Sequence, residues 1–394
     1  MLTDKQITDA QIKEIRSRFK IFKHKIYLNS CSQGPLSDAV QAGMEEFMAS
    51  WHEQGSPWEL WVNRYEEARS AFARFINAMP DEVAIVTSVS AGINGIASAL
   101  TFQERKKVVM GEFEFPTMGH VWLAQRSRGA DVQFVAAEGN CIPAANYEKL
   151  VDHNTLIVPL THVCFKNGFR SEVNAITQIA HRSGALVMLD DYQDCGTRPI
   201  DVKAMDLDFF VTGTLKYLLG PPGLAFMYVR KELISSLVPT VTGWFAQANP
   251  FAYDPKLFDL SPTARRFESG SPPVPNVYAA LPGFQLLQEI GMENVAGHVR
   301  NLAQSLLRCT HDLGICIKTP ADSTGPLVVL QSKDSSLLVQ KLAEDNIVAS
   351  NRHDGLRISF HVYNTMDDVQ AVVEVLKKNI DLMVLHSASV GSYD

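Results

Sequence analysis

The chain has 394 residues, 46% apolar and 20% charged, with a formal net charge of −7, so it is long enough for two or three domains and composed like an ordinary globular protein. The acidic balance excludes the basic footprint of a nucleic-acid binder, and no apolar run reaches the length of a membrane span. The opening MLTDKQITDAQIKEIRSRFK lacks a signal-peptide core, which makes a cytoplasmic location the expectation.

The six cysteines (31, 141, 164, 195, 309 and 316) include no CxxC pair and no histidine at ligand spacing, which argues against zinc or a disulfide framework and leads to the expectation of no metal. Residues 4–23 are predicted helical, with Ile7, Ile12, Ile15 and Phe19 as the apolar stripe. KIYLN (25–29) is a short strand leading into a Gly-Pro turn, and Ser37 caps the helix beyond it. Residues 58–78 repeat apolar positions at helical spacing. In DEVAIVTSVSAGINGIASAL a short strand runs into a small-residue loop that opens a helix. Such a helix start offers free amides and a hydroxyl to an anion, here Ser90 with the amides of Ala91 and Gly92. The same serine also serves as a plain cap.

Further on, Val108–Met110 and the run from Asn154 are buried strands, and the stretch from Leu186 to Tyr228 organises the rest. LVMLDDYQD and DLDFFVTGTLKYLLGPPGLAFMYV are apolar runs that stop at polar residues, as neighbouring strands of a sheet covered on both faces do. Asp190, Gln193 and Lys216 fall at their carboxyl ends. A lysine at the margin of an apolar layer has its pKa lowered and becomes a nucleophile able to form a Schiff base. Pyridoxal phosphate requires that lysine and also an acid on its ring nitrogen, a role for which Asp190 is the candidate. Singly, the Asp reads as a helix cap and the Lys as a solvated side chain; the ordered set carries the signal.

These motifs resemble the class V branch of the fold-type I pyridoxal-phosphate enzymes, which includes cysteine desulfurases, selenocysteine lyase, kynureninase and isopenicillin N epimerase. The resemblance covers nearly the whole chain. It implies an α/β fold with a large domain around a mostly parallel seven-stranded sheet (26–285), after an N-terminal helical segment (1–25), and a smaller C-terminal α+β domain (286–394). It implies pyridoxal 5'-phosphate as cofactor and a homodimer with shared active sites. Residue by residue, it assigns the phosphate to Ser90, Ala91 and Gly92, ring stacking to Phe115, and the phosphate again to Thr214, next to Leu215 where desulfurases have His. The loop Asn29–Ser32, with Asn29 and Ser30, shapes the substrate pocket. Ser271 reaches the phosphate of the other subunit, and Arg357 clamps the substrate carboxylate, with Arg352 as competitor. Cys164 and Phe165 stand where a ring-hydroxyl partner is usual, leaving that contact to Gln193; His162 reads as a core histidine.

Persulfide-forming desulfurases carry a cysteine shortly before the carboxylate Arg, whereas this chain reads DNIVASNRHDGLR (345–357). The expectation is therefore a lyase- or epimerase-like enzyme acting on a small amino acid through Lys216 and an α-carbanion, with C–S cleavage as one outcome. The alternatives are a true aminotransferase, a nucleotide-binding doubly wound protein, which lacks the GxGxxG it needs, and a silent scaffold of the same fold.

Overall fold

The structure is a computed structural model that describes residues 7–386. Its first strand, β1 (Ile26–Tyr27), belongs to a small sheet described below. The seven strands that follow are β2 (Val83–Val86), β3 (Lys107–Gly111), β4 (Asp131–Val135), β5 (Thr155–Thr161), β6 (Leu186–Asp190), β7 (Phe209–Gly213) and β8 (Ala225–Val229). They form one sheet in the order β2-β8-β7-β6-β5-β3-β4. β8 runs antiparallel to both neighbours, and the other adjacent pairs are parallel. The apolar runs explain this: β2, β7 and β8 are buried at every position, as strands covered on both faces must be. The parallel order brings the carboxyl ends of β3, β5, β6 and β7 to one edge. There the polar residues that stop each run collect, in the crevice where ligands bind to open α/β sheets.

The helix Trp58–Phe75 packs on the sheet, its Phe72 ring stacked on Phe226 of β8 at 4.1 Å. The helix Asp38–Gln54, capped by the Ser37 hydroxyl accepting from the Val40 amide at 3.2 Å, lies against the helix Val274–Ile290. Toward the C-terminus come β9 (Leu327–Gln331), β10 (Ile347–Val348), β11 (Ser350–Arg352) and β12 (Gly355–Ser359). β12 lies between β11 and β9, antiparallel to both, and β1 pairs in parallel with β10. The segment after the first helix thus joins a sheet contributed by the C-terminal part.

Several elements differ from the sequence expectations. The first helix is shorter, Asp9–Ser17, followed by a 3-10 turn at Lys20–Lys23; residues 4–6 of the expected helix lie outside the described residues. GICIKT makes isolated bridges through Ile315 and Ile317 in place of a strand. β4, which no apolar run announces, is an edge strand with exposed positions. Residue 286, where the second domain was expected to begin, falls inside the helix Val274–Ile290.

Candidate active site

A cavity of about 330 Å³ opens at the carboxyl edge of the sheet, closed on one side by the β11–β12 hairpin. Lys216 enters it three residues after β7. Its ammonium lies 4.1 Å from the centroid of the Tyr192 ring and 5.9 Å from that of Phe115. Burial pulls the Lys216 amine down to about 8, and the Asp190 carboxylate opposes that pull. Tyr192 fits beneath because β7 ends in Gly213: a Cβ there would stand 2.3 Å from the tyrosine ring. The loop after β1 packs against the same segment, with the Gly34 amide donating to the Leu215 carbonyl at 2.8 Å. A Cβ on Gly34 would meet the Lys216 carbonyl at 2.4 Å, so only glycine allows that approach.

Asp190, the last residue of β6, lines the cavity. Burial pushes its carboxyl up, while the Tyr192 amide, donating at 3.0 Å, and the nearby Lys216 charge pull it down. Gln193 donates to the Cys31 carbonyl at 3.1 Å, and its buried Oε1 has no partner. Phe115 is 44% exposed and meets Phe165 edge-on at 5.0 Å.

Arg357 sits in the middle strand of the small sheet and is 1% exposed. Its Nη2 donates to the hydroxyls of Ser32 at 2.8 Å and Ser350 at 2.9 Å, its Nη1 to the Phe165 carbonyl at 3.3 Å, and its buried Nε has no partner. Among the described residues no acid pairs with it. A buried guanidinium held only by neutral acceptors is costly unless an anion completes it.

At the other end the helix Val89–Ala99 begins against the cavity, which Thr87, Ser88, Val89 and Ser90 line. Here the expected donors are corrected. Ser88, not Ser90, is the cap, accepting from the Ala91 amide at 3.0 Å, and the Ser88 carbonyl takes the Gly92 amide at 3.1 Å. Ala91 and Gly92 are thus engaged within the helix and are not on the cavity wall. Ser90 is, with its hydroxyl donating to Thr117 at 3.2 Å. Thr214 is also turned away, its hydroxyl donating to the Pro221 carbonyl at 2.7 Å across its own turn. Of the loop Asn29–Ser32, Cys31 and Ser32 line the cavity; Asn29 pairs with Ser359, and Ser30 is bonded to the Tyr363 hydroxyl beneath it. Ser271 lies exposed in a loop outside the cavity lining.

Sequence reasoning missed Tyr192, Ser88, Ser350 and Glu114. Glu114 receives the Thr161 amide at 3.1 Å and hydroxyl at 2.5 Å, and burial pushes its carboxyl up to about 8. The pair of serines in TSVSAG was a visible signal for an alternative cap; nothing local marked Ser350 or Tyr192.

The residues fit pyridoxal phosphate. The cavity holds an amine of lowered pKa for the aldehyde, a carboxyl group for the ring nitrogen and an orphaned buried amide oxygen for the ring hydroxyl. A helix start with hydroxyls is present for the phosphate.

Comparison with known proteins agrees. Residues 26–372 match the family model "Aminotransferase class-V". The chain is similar to the "Uncharacterized aminotransferase YcbU" of Bacillus subtilis, 33% identical over 93% of this chain and 98% of that one. It is also similar to a "Probable cysteine desulfurase" of Methanothermobacter thermautotrophicus, 26% identical over 93% and 97%. In fold it is similar to an apo cysteine desulfurase from Thermococcus onnurineus, with a TM-score of 0.84 at 19% identity over 94% of this chain and 98% of that one. With a lysine, an acid and a helix start bearing hydroxyls around one cavity and the family model spanning most of its length, the chain belongs to the class-V aminotransferase family of pyridoxal-phosphate-dependent enzymes.

Proposed function

We propose that the enzyme acts on a small amino acid at its α-carbon, in a lyase- or epimerase-like reaction and without a persulfide relay. The observation that carries this reading is the β11–β12 hairpin. It brings Arg357 to the cavity through a tight turn, with His353 at φ 51°, and presents Ser350 rather than a cysteine beside the guanidinium. Cys31, the one cysteine on the lining, is 1% exposed, with its sulfur 3.8 Å from the Ser350 hydroxyl and 3.9 Å from the Asn29 oxygen. A thiol buried there is not displayed at the surface, where an acceptor protein would meet a carried sulfur.

When bound, pyridoxal phosphate supplies an electron sink that makes the α-hydrogen of an attached amino acid acidic. Arg357 binds the α-carboxylate by charge and by the N–H groups that Ser32, Ser350 and Phe165 leave free, held in place by those same contacts. Lys216, an amine held near 8, takes the α-proton and returns it at neutral pH, as a base poised close to the working pH does. Asp190 would pair its carboxyl group with the ring nitrogen. Phe115 bounds one face of the site and narrows the approach of water. The hydroxyls of Ser88 and Ser90 and the start of their helix receive the phosphate.

We further propose a homodimer, in which the exposed Ser271 reaches the partner's site, and a cytoplasmic location; among the described residues no helix is long and apolar enough to cross a membrane. The nucleotide-binding alternative gives way to the family match. The aminotransferase remains the second reading, favoured by the name of the Bacillus relative. Incubating holoenzyme with an amino-acid panel separates the two. Ammonia or sulfide release, or loss of optical activity, without a keto-acid requirement supports the proposal. A keto acid formed in amounts equal to the enzyme, with the original absorbance restored only by a second keto acid, refutes it in favour of transamination.

A further inference from the structure

Two arginines line the hairpin side of the cavity, and among the described residues neither has an acidic partner. Arg357 lies deep and is fixed by two hydroxyls. Arg352 ends β11, is exposed, and spends one N–H on the Asn351 carbonyl at 2.7 Å. The acid of the hairpin itself, Asp354, is taken by Lys318 and by Gln331 at 3.1 Å. The remaining charged residues on the lining are Lys216 and Asp190. Burial, and then the Arg357 charge, pull the Arg352 guanidinium down. Once the cofactor engages Lys216 and Asp190, two guanidiniums are left facing the space where substrate sits. A single α-carboxylate neutralises only one of them.

We propose that the substrate is an α-amino acid whose side chain ends in a second oxyanion, a carboxylate foremost, bound by Arg352 while Arg357 holds the α-carboxylate. Depth assigns the roles. The rigid, buried guanidinium belongs with the group nearest the reacting carbon, and the exposed one at the rim, with rotamer freedom, belongs with the far end of the side chain. A dianionic substrate removes the repulsion between the two arginines, whereas a neutral side chain leaves Arg352 unanswered on a lining it shares with Phe115 and Phe165.

This inference rests on the amino-acid chemistry proposed above, and its test keeps the two apart. Binding of unreactive succinate and glutarate to the holoenzyme is measured by calorimetry against butyrate and valerate. In parallel, kcat/KM is measured for L-aspartate, L-glutamate and cysteine sulfinate against L-alanine, norvaline and cysteine. Both are repeated for Arg352→Ala and Arg352→Lys, whose folding is verified by thermal melts. The expected result is a preference for the dianion of about tenfold or more, the size of one charge-assisted hydrogen bond, that Arg352→Ala erases and Arg352→Lys keeps in part. Equal binding of succinate and butyrate by the wild type, neutral amino acids turned over as well as acidic ones, or a preference undiminished in Arg352→Ala overturns it. If no amino acid alters the cofactor's absorbance, the proposed function fails on its own account, while the succinate arm still decides for or against Arg352.

Discussion

Asp190 and Asp191 are adjacent residues at the end of one strand, and they serve opposite sides of the sheet edge. Asp190 faces the cavity that Lys216 enters. Asp191 is wholly buried on the other side, where its Oδ1 receives the His162 imidazole at 2.6 Å, with Asp194 close by. Burial pushes both carboxyls up. The Asp191 cluster even has the composition of a metal site, its His162, Asp191 and Asp194 ligand atoms lying within 4.8 Å of one another. Its hydrogen bonds say otherwise. The Arg170 guanidinium can only donate, so His162 Nε2 accepts from it at 3.3 Å; Nδ1 therefore carries the proton that Asp191 receives. Both ring nitrogens are engaged, and burial holds the imidazole neutral, down to about 4. The contrast teaches that a dense set of buried ionisable groups is not by itself a site. The Asp190 side opens onto the cavity that a nucleophilic amine enters, whereas on the Asp191 side the imidazole is spent at both nitrogens and Asp191 is wholly buried, its Oδ2 left without a partner.

The cavity side should break first. Lys216→Ala is expected to abolish the visible absorbance of the purified protein and to lower turnover by about 10²–10⁴ or more, the range for removing a positioned acid–base group. A coloured, active variant would remove Lys216 from the chemistry. Asp190→Asn keeps the shape and deletes the charge; the loss expected is about 10²–10³ in kcat, as for other preorganised electrostatic partners, with an unchanged melting temperature. If Asp190→Asn unfolds the protein instead, Asp190 is structural like its neighbour and the comparison fails.

The lowered lysine gives a test in pH. In the apoenzyme the free amine of Lys216 is the form that captures the aldehyde, so the rate of cofactor uptake should rise with pH and level off above about 8, not above the ordinary 10.5. Burial makes the charged amine costly in the folded state. That cost is present in full below the folded pKa, and stability recovers as pH rises from about 8 toward the unfolded value. A midpoint near the ordinary lysine value would show that Lys216 faces water.

Much of this was readable from the residues because burial writes itself into composition. β5, β6, β7 and β8 are apolar runs stopped by polar residues, and the polar stops gave Asp190, Gln193 and Lys216 their places together. Where the signal depends on neighbours distant in sequence, local reading fails. β4 is an edge strand that needs no apolar run. GICIKT is apolar enough for a strand but meets its partners only in single bridges. The cap fell on Ser88 rather than Ser90 because either hydroxyl suits a helix start, and only the packing of the chain decides which turn comes first. Arg357 stands in an apolar strand, where a charge without a partner is costly. Its orientation comes from Ser32, which lies on the loop after β1, and from Ser350 across the hairpin, contacts that exist only once the small sheet forms.

The smallest effect expected is also the sharpest test of the comparison. Asp191→Asn keeps an oxygen for the His162 Nδ1–H and removes an acid whose charge the interior disfavours. Turnover should stay within about threefold, since surroundings that do not touch substrate change rate only through small displacements. Stability should move in a definite direction. A carboxyl with a raised folded pKa binds more protons folded than unfolded, so its contribution is fully present below the ordinary carboxylate range and is lost as pH rises through the folded value. The asparagine has no such loss. Chemical denaturation across pH 5 to 9 should therefore show a flatter profile for the variant, which at the alkaline end is as stable as the wild type or more so by about 1 kcal/mol, the scale of one hydrogen-bonding adjustment. A steeper profile would mean that Asp191 is ionised and paired in the fold. The His162 cluster would then hold a charge as the cavity side does, and the distinction between the two faces of β6 would have to be drawn from cavity space alone.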